Sequence, residues 1–333
     1  MKRLLVVIVA AAALWAGYWV IGSRAATAGF EQWFAERRAV GWIAETSTIT
    51  TRGFPSRFDT TLSDVRLADP DAGVAYDAEF VQIFALSYKP EHLIAVWPNA
   101  QTLSTPYGKA QITSDDMRAS LVVDGARNAA AQRSNFAASA LSVQMEDGRT
   151  AGAERLLIAL EQTPAAQNSY HLGLKATGLF VPQPAGLRLS TGDLLPGTFE
   201  SASGDVTVVF DAPWDLDALN VARPQPVRID VKLIEARWGQ LELRLAGALD
   251  VDGRGTPSGQ ITVKAQNWQD ILALGVASGA VPSQLERPIE QGLSLLAGLS
   301  GNRNTLDLPL TFSGGRVMLG PIPIGPAPRL ILR

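Results

Sequence analysis

Residues 227–245 read VRIDVKLIEARWGQLELRL, and their period decides the fold. Val227, Ile229, Val231 and Leu233 alternate with Arg228, Asp230 and Lys232. A period of two belongs to a strand with one apolar and one solvated face. The phase then slips by one, to Ile234, Ala236 and Trp238, which predicts a bulge near Leu233–Ile234. Trp238-Gly239-Gln240 reads as a tight turn, after which Leu241, Leu243 and Leu245 alternate with Glu242 and Arg244. The segment is therefore a hairpin. Ile261, Val263 and Ala265 resume the pattern after a Gly253–Gly259 loop.

The same alternation extends outward through Arg57–Leu67, Phe80–Tyr88, Leu93–Trp97, Ala110–Val123, Asn135–Met145, Ala151–Gln162, Tyr170–Phe180 and Gly204–Asp211. Gly, Pro, Asn and Asp clusters punctuate these runs at short intervals. That spacing predicts a mainly β protein of antiparallel sheets, arranged as an elongated sandwich or as an open groove. Phe80–Tyr88 is apolar on both faces, as a central, doubly covered strand would be. Helix returns at Trp268–Ala277 and Gln284–Leu299. In the second, Leu285, Ile289, Leu293, Leu296 and Leu299 form one stripe, and Ser283 with Glu286 matches a capping box. Pro288 requires either a kink or a helix starting there. Pro309 points to an edge strand over 306–312. A Gly314-Gly315 turn precedes a strand at Arg316–Leu319, and the Pro/Gly-rich tail should lie pinned along the body.

The N-terminus has a different character. Met1, Lys2 and Arg3 precede an apolar run from Leu4 to Gly22, long enough to span a bilayer as a helix. The flanking cations place the N-terminus in the cytoplasm and the body outside it. Trp15, Tyr18 and Trp19 would sit at the outer interface. Ala26-Thr27-Ala28 resembles a signal cleavage site, so removal of the segment is the alternative to an uncleaved anchor. A second short helix is expected over Ala28–Val40, with Phe30, Trp33 and Phe34 packed on the first sheet rather than lying on the bilayer. The expected organisation is an anchor (1–23), a juxtamembrane helix (24–44), an N-terminal β region (45–180) and a C-terminal β region (181–333), with helices near 268–299.

Composition narrows the chemistry. The formal net charge is −3 and no basic, aromatic-studded stretch occurs, so nucleic acid is not expected as a partner. The chain has no cysteine and two histidines, His92 and His171, which excludes thiolate chemistry and a His-rich metal cluster. Asp115-Asp116 reads as a polar turn, since neighbours on a strand face opposite ways. Asp69-Pro70-Asp71-Ala72-Gly73 and Asp250-Val251-Asp252-Gly253 read as turns lacking the ligands of a calcium loop. Each histidine reads as structural or surface, and no nucleophile elbow, P-loop or dinucleotide fingerprint occurs. No catalytic residue, cofactor or metal is expected. A hydrolase using Glu79, Asp115 and Asp116 is the least favoured reading.

What remains is apolar surface. Pattern leaves open whether the one-sided strands close on each other or leave a groove for acyl chains. The residues that would line such a groove are Val231, Leu233, Leu241, Leu243, Ile261 and Val263.

Several stretches carry a family likeness. GFPSRFD (53–59), DVRL (64–67), LSYKPEHLIAVWP (86–98), SDDMRAS (114–120) and GGRVMLGP (314–321) resemble the bacterial domain-of-unknown-function family 2125. Gly53, Phe54, Pro55, Arg57, Tyr88, Pro90, His92, Trp97 and Pro98 carry most of that likeness. The resemblance implies an envelope protein of a Gram-negative bacterium, anchored in the inner membrane with its body in the periplasm, and carries over no catalytic residue. A looser similarity, through the LD…GTPSGQI stretch (249–261), is to AsmA-like envelope proteins, which implies handling of phospholipid. The expected function is thus non-enzymatic binding of phospholipid or fatty acyl chains by a protein embedded through residues 4–22. The alternative is a scaffold for envelope protein partners with no lipid ligand.

Overall fold

A computed structural model describes all residues except 167, 183–195, 279–280, 282, 300–303, 321 and 333. The side chains of Leu219, Asn220, Leu285, Leu296, Leu299 and Ile322 also lie outside the description. Packing divides the chain into two compact units, 1–125 with 134–150, and 126–133 with 151–333. The first unit holds helix α1 (Lys2–Ala39) and strands β1 (Ile43–Glu45), β2 (Thr48–Arg52), β3 (Arg57–Asp69), β4 (Val74–Leu86), β5 (Lys89–Val96), β6 (Ala100–Thr105), β7 (Gly108–Thr113), β8 (Asp116–Asp124) and most of β9 (Ala130–Met145). The second holds β10 (Thr150–Gln162), β11 (Ser169–Thr177), β12 (Ser201–Phe210), α2 (Leu216–Asn220), β13 (Pro226–Trp238), β14 (Leu241–Val251), β15 (Pro257–Gln266), α3 (Trp268–Ala277), α4 (Glu286–Leu299), β16 (Thr305–Ser313), β17 (Arg316–Leu319) and β18 (Ile322–Pro326). Every registered strand pair is antiparallel, as the two-residue period predicts.

The residues 181–197 do not separate two β regions. β11 pairs directly with β12, so the strands on either side of that stretch are neighbours in one sheet. The stretch itself lies largely outside the described residues.

In the first unit β3 is central, with β1 and β2 on one side and β4 on the other. Phe58, Thr60 and Leu62 point inward and are buried, then the phase changes to Val65 at Asp64, whose φ is 50°. β4 is central, between β3 and the pair β5 and β6. It is not doubly enclosed, for Phe80 to Leu86 are all half-buried. Helix α1 runs unbroken through the expected boundary between anchor and juxtamembrane helix. Its outer half packs along the sheet. Phe34, 2% exposed, sits in a core with Ala44, Leu62 and Val65, and Phe30 packs against it. The expected packing of this aromatic face on the first sheet is therefore observed.

In the second unit the strands pair in sequence order from β10 to β18. The hairpin of β13 and β14 turns at Gly239 (φ 58°), and the bulge falls at Lys232–Leu233. Helix α4 begins at Glu286 after a 3-10 turn at Ser283–Leu285. Pro288 thus lies in its first turn, where a missing N–H costs nothing. Leu285, Leu296 and Leu299 of the predicted stripe fall among the undescribed side chains. β16 is an edge strand only in part. β17 pairs with Leu310 to Ser313, which leaves Pro309 opposite Thr262 of β15 alone. The tail is pinned by Leu330 N–H donating to Gly255 O (2.8 Å) and Leu332 N–H donating to Gln225 Oε1 (2.8 Å).

Candidate functional site

Directly paired residues on neighbouring strands share a face. Two rows of the second unit can therefore be followed across the sheet. One is Ile158, Leu174, Gly204, Ile234, Leu245, Val263 and Leu308. The next is Leu160, Leu172, Val206, Val231, Gly247, Ile261, Leu310 and Leu319. Neither row contains a polar side chain. At 4.8 Å per strand the longer row spans about 34 Å. In that row only Ile261 and Leu319 are buried, and the rest are half-buried. Gly247 (φ +148°) is required in the row, because an added Cβ would lie 2.2 Å from Gln260 O of β15.

The opposite face is charged. Arg228 pairs with Asp230 (2.9 Å) and Asp250 (2.8 Å), Arg244 with Glu242 (2.6 Å), and Lys232 with Asp205 (3.0 Å). Leu233, expected in the groove, lies opposite Asp205 on this charged face. The bulge absorbs one residue and turns Leu233 outward. Val231, Leu241, Leu243, Ile261 and Val263 do share the apolar face.

Helices α3 and α4 cover one end of that face. Ala265, Trp268, Ala297 and Leu306 form the core there, with Leu243, Ile271, Leu272 and Leu293 packed on it. A cavity of about 310 Å³ remains, lined by Leu243, Val263, Leu308 and Leu310 of the sheet and Ile289 and Leu293 of α4. Beside it Phe199 stacks on Trp238 at 4.2 Å. At the other end of the strands the fully buried Tyr170 packs edge-on against Phe210, and its hydroxyl accepts from Trp214 N–H (3.2 Å).

The first unit has a second apolar hollow, of about 550 Å³. Ala26, Gly29, Phe30 and Trp33 of α1 form one wall and Leu62, Val65, Tyr76 and Val81 another, with Trp97 also lining it. Tyr76 donates to Gln101 Oε1 at 2.5 Å, and burial pushes its pKa up to about 12. It therefore stays a neutral donor.

The family-motif residues separate into two groups. Gly53, Phe54, Pro55 and Arg57 form the turn between β2 and β3, and Tyr88 belongs to the turn between β4 and β5. Both turns dock on α1. Trp15 Nε1–H donates to Pro55 O (2.9 Å), Trp19 Nε1–H to Arg57 O (2.8 Å), and the Tyr18 hydroxyl to Ser87 O. Trp19 also meets Phe54 edge-on at 5.5 Å. Gly53 has φ +106°, and a Cβ there would lie 2.8 Å from Arg57 O, so it shapes the turn. Trp97 lies elsewhere, at the hollow, and Pro98 is buried. Pro90 is exposed, and the half-buried His92 pairs with Val122 of β8.

The remaining titratable candidates do not converge. Asp115 and Asp116 are both exposed, and Asp116 pairs with Arg118 at 3.4 Å. Glu79 instead lines a polar hollow with Asp64, Arg66 and Asp77. His171 Nε2 lies 3.6 Å from Asp205 Oδ1, on the charged face. Asp69 accepts from Asp71 N–H (3.0 Å) and Ala72 N–H (3.2 Å), and Asp252 from Arg254 N–H (2.9 Å) and Thr256 N–H (2.8 Å). Both are turn-stabilising carboxylates. Among the described residues no three His, Asp or Glu side chains gather as a metal site would require.

Sequence reasoning confined the apolar face to β13–β15. The unbroken apolar run Leu156–Leu160 and the alternation at Tyr170–Leu174 were the signal for its extension through β10–β12. The docking of Trp15, Tyr18 and Trp19 on two distant turns had no local signal.

Fold and site define a β-rich protein with one-sided apolar sheet faces and an N-terminal helix long and apolar enough to cross a membrane. The chain belongs to the bacterial family described as "Uncharacterized protein conserved in bacteria (DUF2125)", whose model matches residues 19–328. No curated protein and no solved structure matches it, so the looser likeness to AsmA-like proteins gains no support.

Proposed function

We propose that this chain is a non-enzymatic, inner-membrane protein with its body in the periplasm, and that it binds lipid acyl chains on the apolar face of β10–β17. The observation that carries the proposal is the pair of rows with no polar side chain, half-buried over most of their length. No strand from β10 to β17 places a polar side chain in these rows. Its two described helical covers occupy only one end. Acyl chains need no titratable group for recognition, only a continuous apolar surface. Lys2 and Arg3 before the span favour a cytoplasmic N-terminus. Retention of the N-terminal segment is part of this proposal. Cleavage after Ala28 would remove Trp15, Tyr18 and Trp19 and their three hydrogen bonds to the motif turns.

The test is lipid extraction and mass analysis of the full chain purified from native membranes, together with transfer of labelled phospholipid between vesicles. Bound phospholipid or fatty acid above the detergent blank, lost in Val231→Asp but kept in Leu233→Asp, is the expected result. No bound lipid and no transfer would overturn the proposal and leave the scaffold for envelope partners. Intact mass of the same preparation reports the N-terminus.

A further inference from the structure

The two motif turns and the aromatic residues of α1 lie at a level where a membrane-crossing helix is still inside the bilayer. The apolar run ends at Gly22, yet the sheet is already docked at Trp15. Leu4 to Leu14, the part of the run before the docked segment, covers only about 16 Å at 1.5 Å per residue. The hydrocarbon core is about 30 Å thick. Tilting the helix would shorten its vertical reach further. The segment 15–22 therefore has to serve two neighbours at once, the sheet on one side and lipid on the other.

The surface at that level is suited to lipid. Phe54 is 57% exposed and Tyr88 58%, each at the tip of its turn. On the helix beside them Tyr18 is 45% exposed and Ile21 71%. Large apolar side chains this exposed and this close together mark an interaction surface. Exposed cations flank them, with Arg24 on the helix, Arg52 before the first turn and Lys89 after the second. Aromatics at the headgroup boundary with cations reaching phosphates is the arrangement of an interfacial anchor. The other end of β4 has a different outlook. Tyr107, fully exposed in the turn after β6, lies near Val74, about 40 Å of strand away from Leu86.

We infer that Phe54 and Tyr88, together with Trp15, Tyr18 and Ile21, form a collar that seats the first unit in the outer interface of the phospholipid bilayer. The collar fixes how deep α1 sits and which way it faces. It rests on the membrane-crossing reading of α1 and is independent of lipid binding by β10–β17.

The chain has no cysteine, so single labelling sites can be introduced without removing any. The experiment uses the full chain in phosphatidylethanolamine–phosphatidylglycerol vesicles, with nitroxide at Phe54→Cys, Tyr88→Cys, Ile8→Cys or Tyr107→Cys. Accessibility to oxygen and to a water-soluble nickel chelate is measured at each. Labels at 54, 88 and 8 are expected to favour oxygen, and the label at 107 to favour nickel. Labels at 54 and 88 as accessible to nickel as that at 107, with 8 still in lipid, would overturn the collar alone. Nickel access at position 8 as well would overturn the membrane-crossing reading. The unsubstituted chain supplies a second measurement that no folding defect can obscure. Lipids carrying a photoreactive group near the glycerol should leave adducts on peptides 53–58 and 86–90, and none on the Tyr107 peptide. Absence of adducts on the first two overturns the proposal.

Discussion

The two apolar hollows solve one problem in different ways. Each is the one-sided face of an antiparallel sheet, and each needs a cover. In the second unit the cover is made late in the chain, by α3 and α4, and the lining is mostly Leu, Ile and Val. In the first unit the cover is the outer half of α1, and the helix side of the lining is Ala, Gly and aromatic. The small residues leave the hollow open, while Phe30 and Phe34 pack against the sheet. Hydropathy would assign the first part of that same helix to a bilayer. The lesson is that a segment apolar and long enough to cross a membrane and a core-forming helix can be one element, with no break in structure between them.

The contrast can be tested by substitution. Phe34→Ala should have the largest effect, about 3–5 kcal/mol, because Phe34 is enclosed between helix and sheet. Leu293→Ala, half-buried against the smaller cavity, should cost about 2 kcal/mol. Equal losses in denaturant titrations would erase the distinction between the two covers. Val231→Asp puts an unpaired carboxylate on the apolar face and should cost about 2–3 kcal/mol. Leu233→Asp, two residues on, should cost less, about 0.2–1 kcal/mol, since it joins the charged face and its penalty is the like charge of Asp205 opposite. Similar melting temperatures for these two variants would mean that the bulge does not separate the faces. Gly53→Val should cost about 2 kcal/mol through its left-handed φ and the close Arg57 carbonyl. It should also weaken docking of Trp15 and Trp19, visible as a red-shifted tryptophan emission.

The smallest effect concerns acid. The Thr256 and Arg254 backbone N–H groups hold the Asp252 carboxylate below its usual value of 3.8. A depressed folded-state pKa contributes stability that is present above about pH 4 and lost as pH falls through the folded value. Asp252→Asn should therefore lower the second unit's stability slightly above about pH 4 and flatten its acid limb, so that the two chains converge as pH falls. A difference that grows as pH falls below about 4 would contradict this sign.

Much of the fold was legible because its determinants are local. The alternation at 227–245 gave both strands, their turn and the bulge, since a period of two and a phase slip are written in neighbouring residues. Gly314-Gly315, both at positive φ, gave the turn between β16 and β17 for the same reason. Non-local facts were not legible. Asp64 changes the inward phase of β3 through its backbone angle, and an Asp in a strand carries no unique signal for that. Leu233 was assigned to the wrong face because the bulge was anticipated at 233–234, whereas it falls at 232–233. The extent of the apolar rows depends on register across eight strands, which no single segment encodes. Trp15, Tyr18 and Trp19 have the composition of an interfacial belt, and only the placement of Pro55, Arg57 and Ser87 reveals their hydrogen bonds.

The continuity of α1 also sets an order of events in biosynthesis. Chains emerge N-terminus first, so α1 exists before any strand that packs on it. Thr27 shares a hydrogen bond with Thr51 (2.9 Å), made 24 residues later, and Thr51 in turn with Thr60 (2.9 Å). Every strand of the first sheet is thus synthesised after the helix on which that sheet packs.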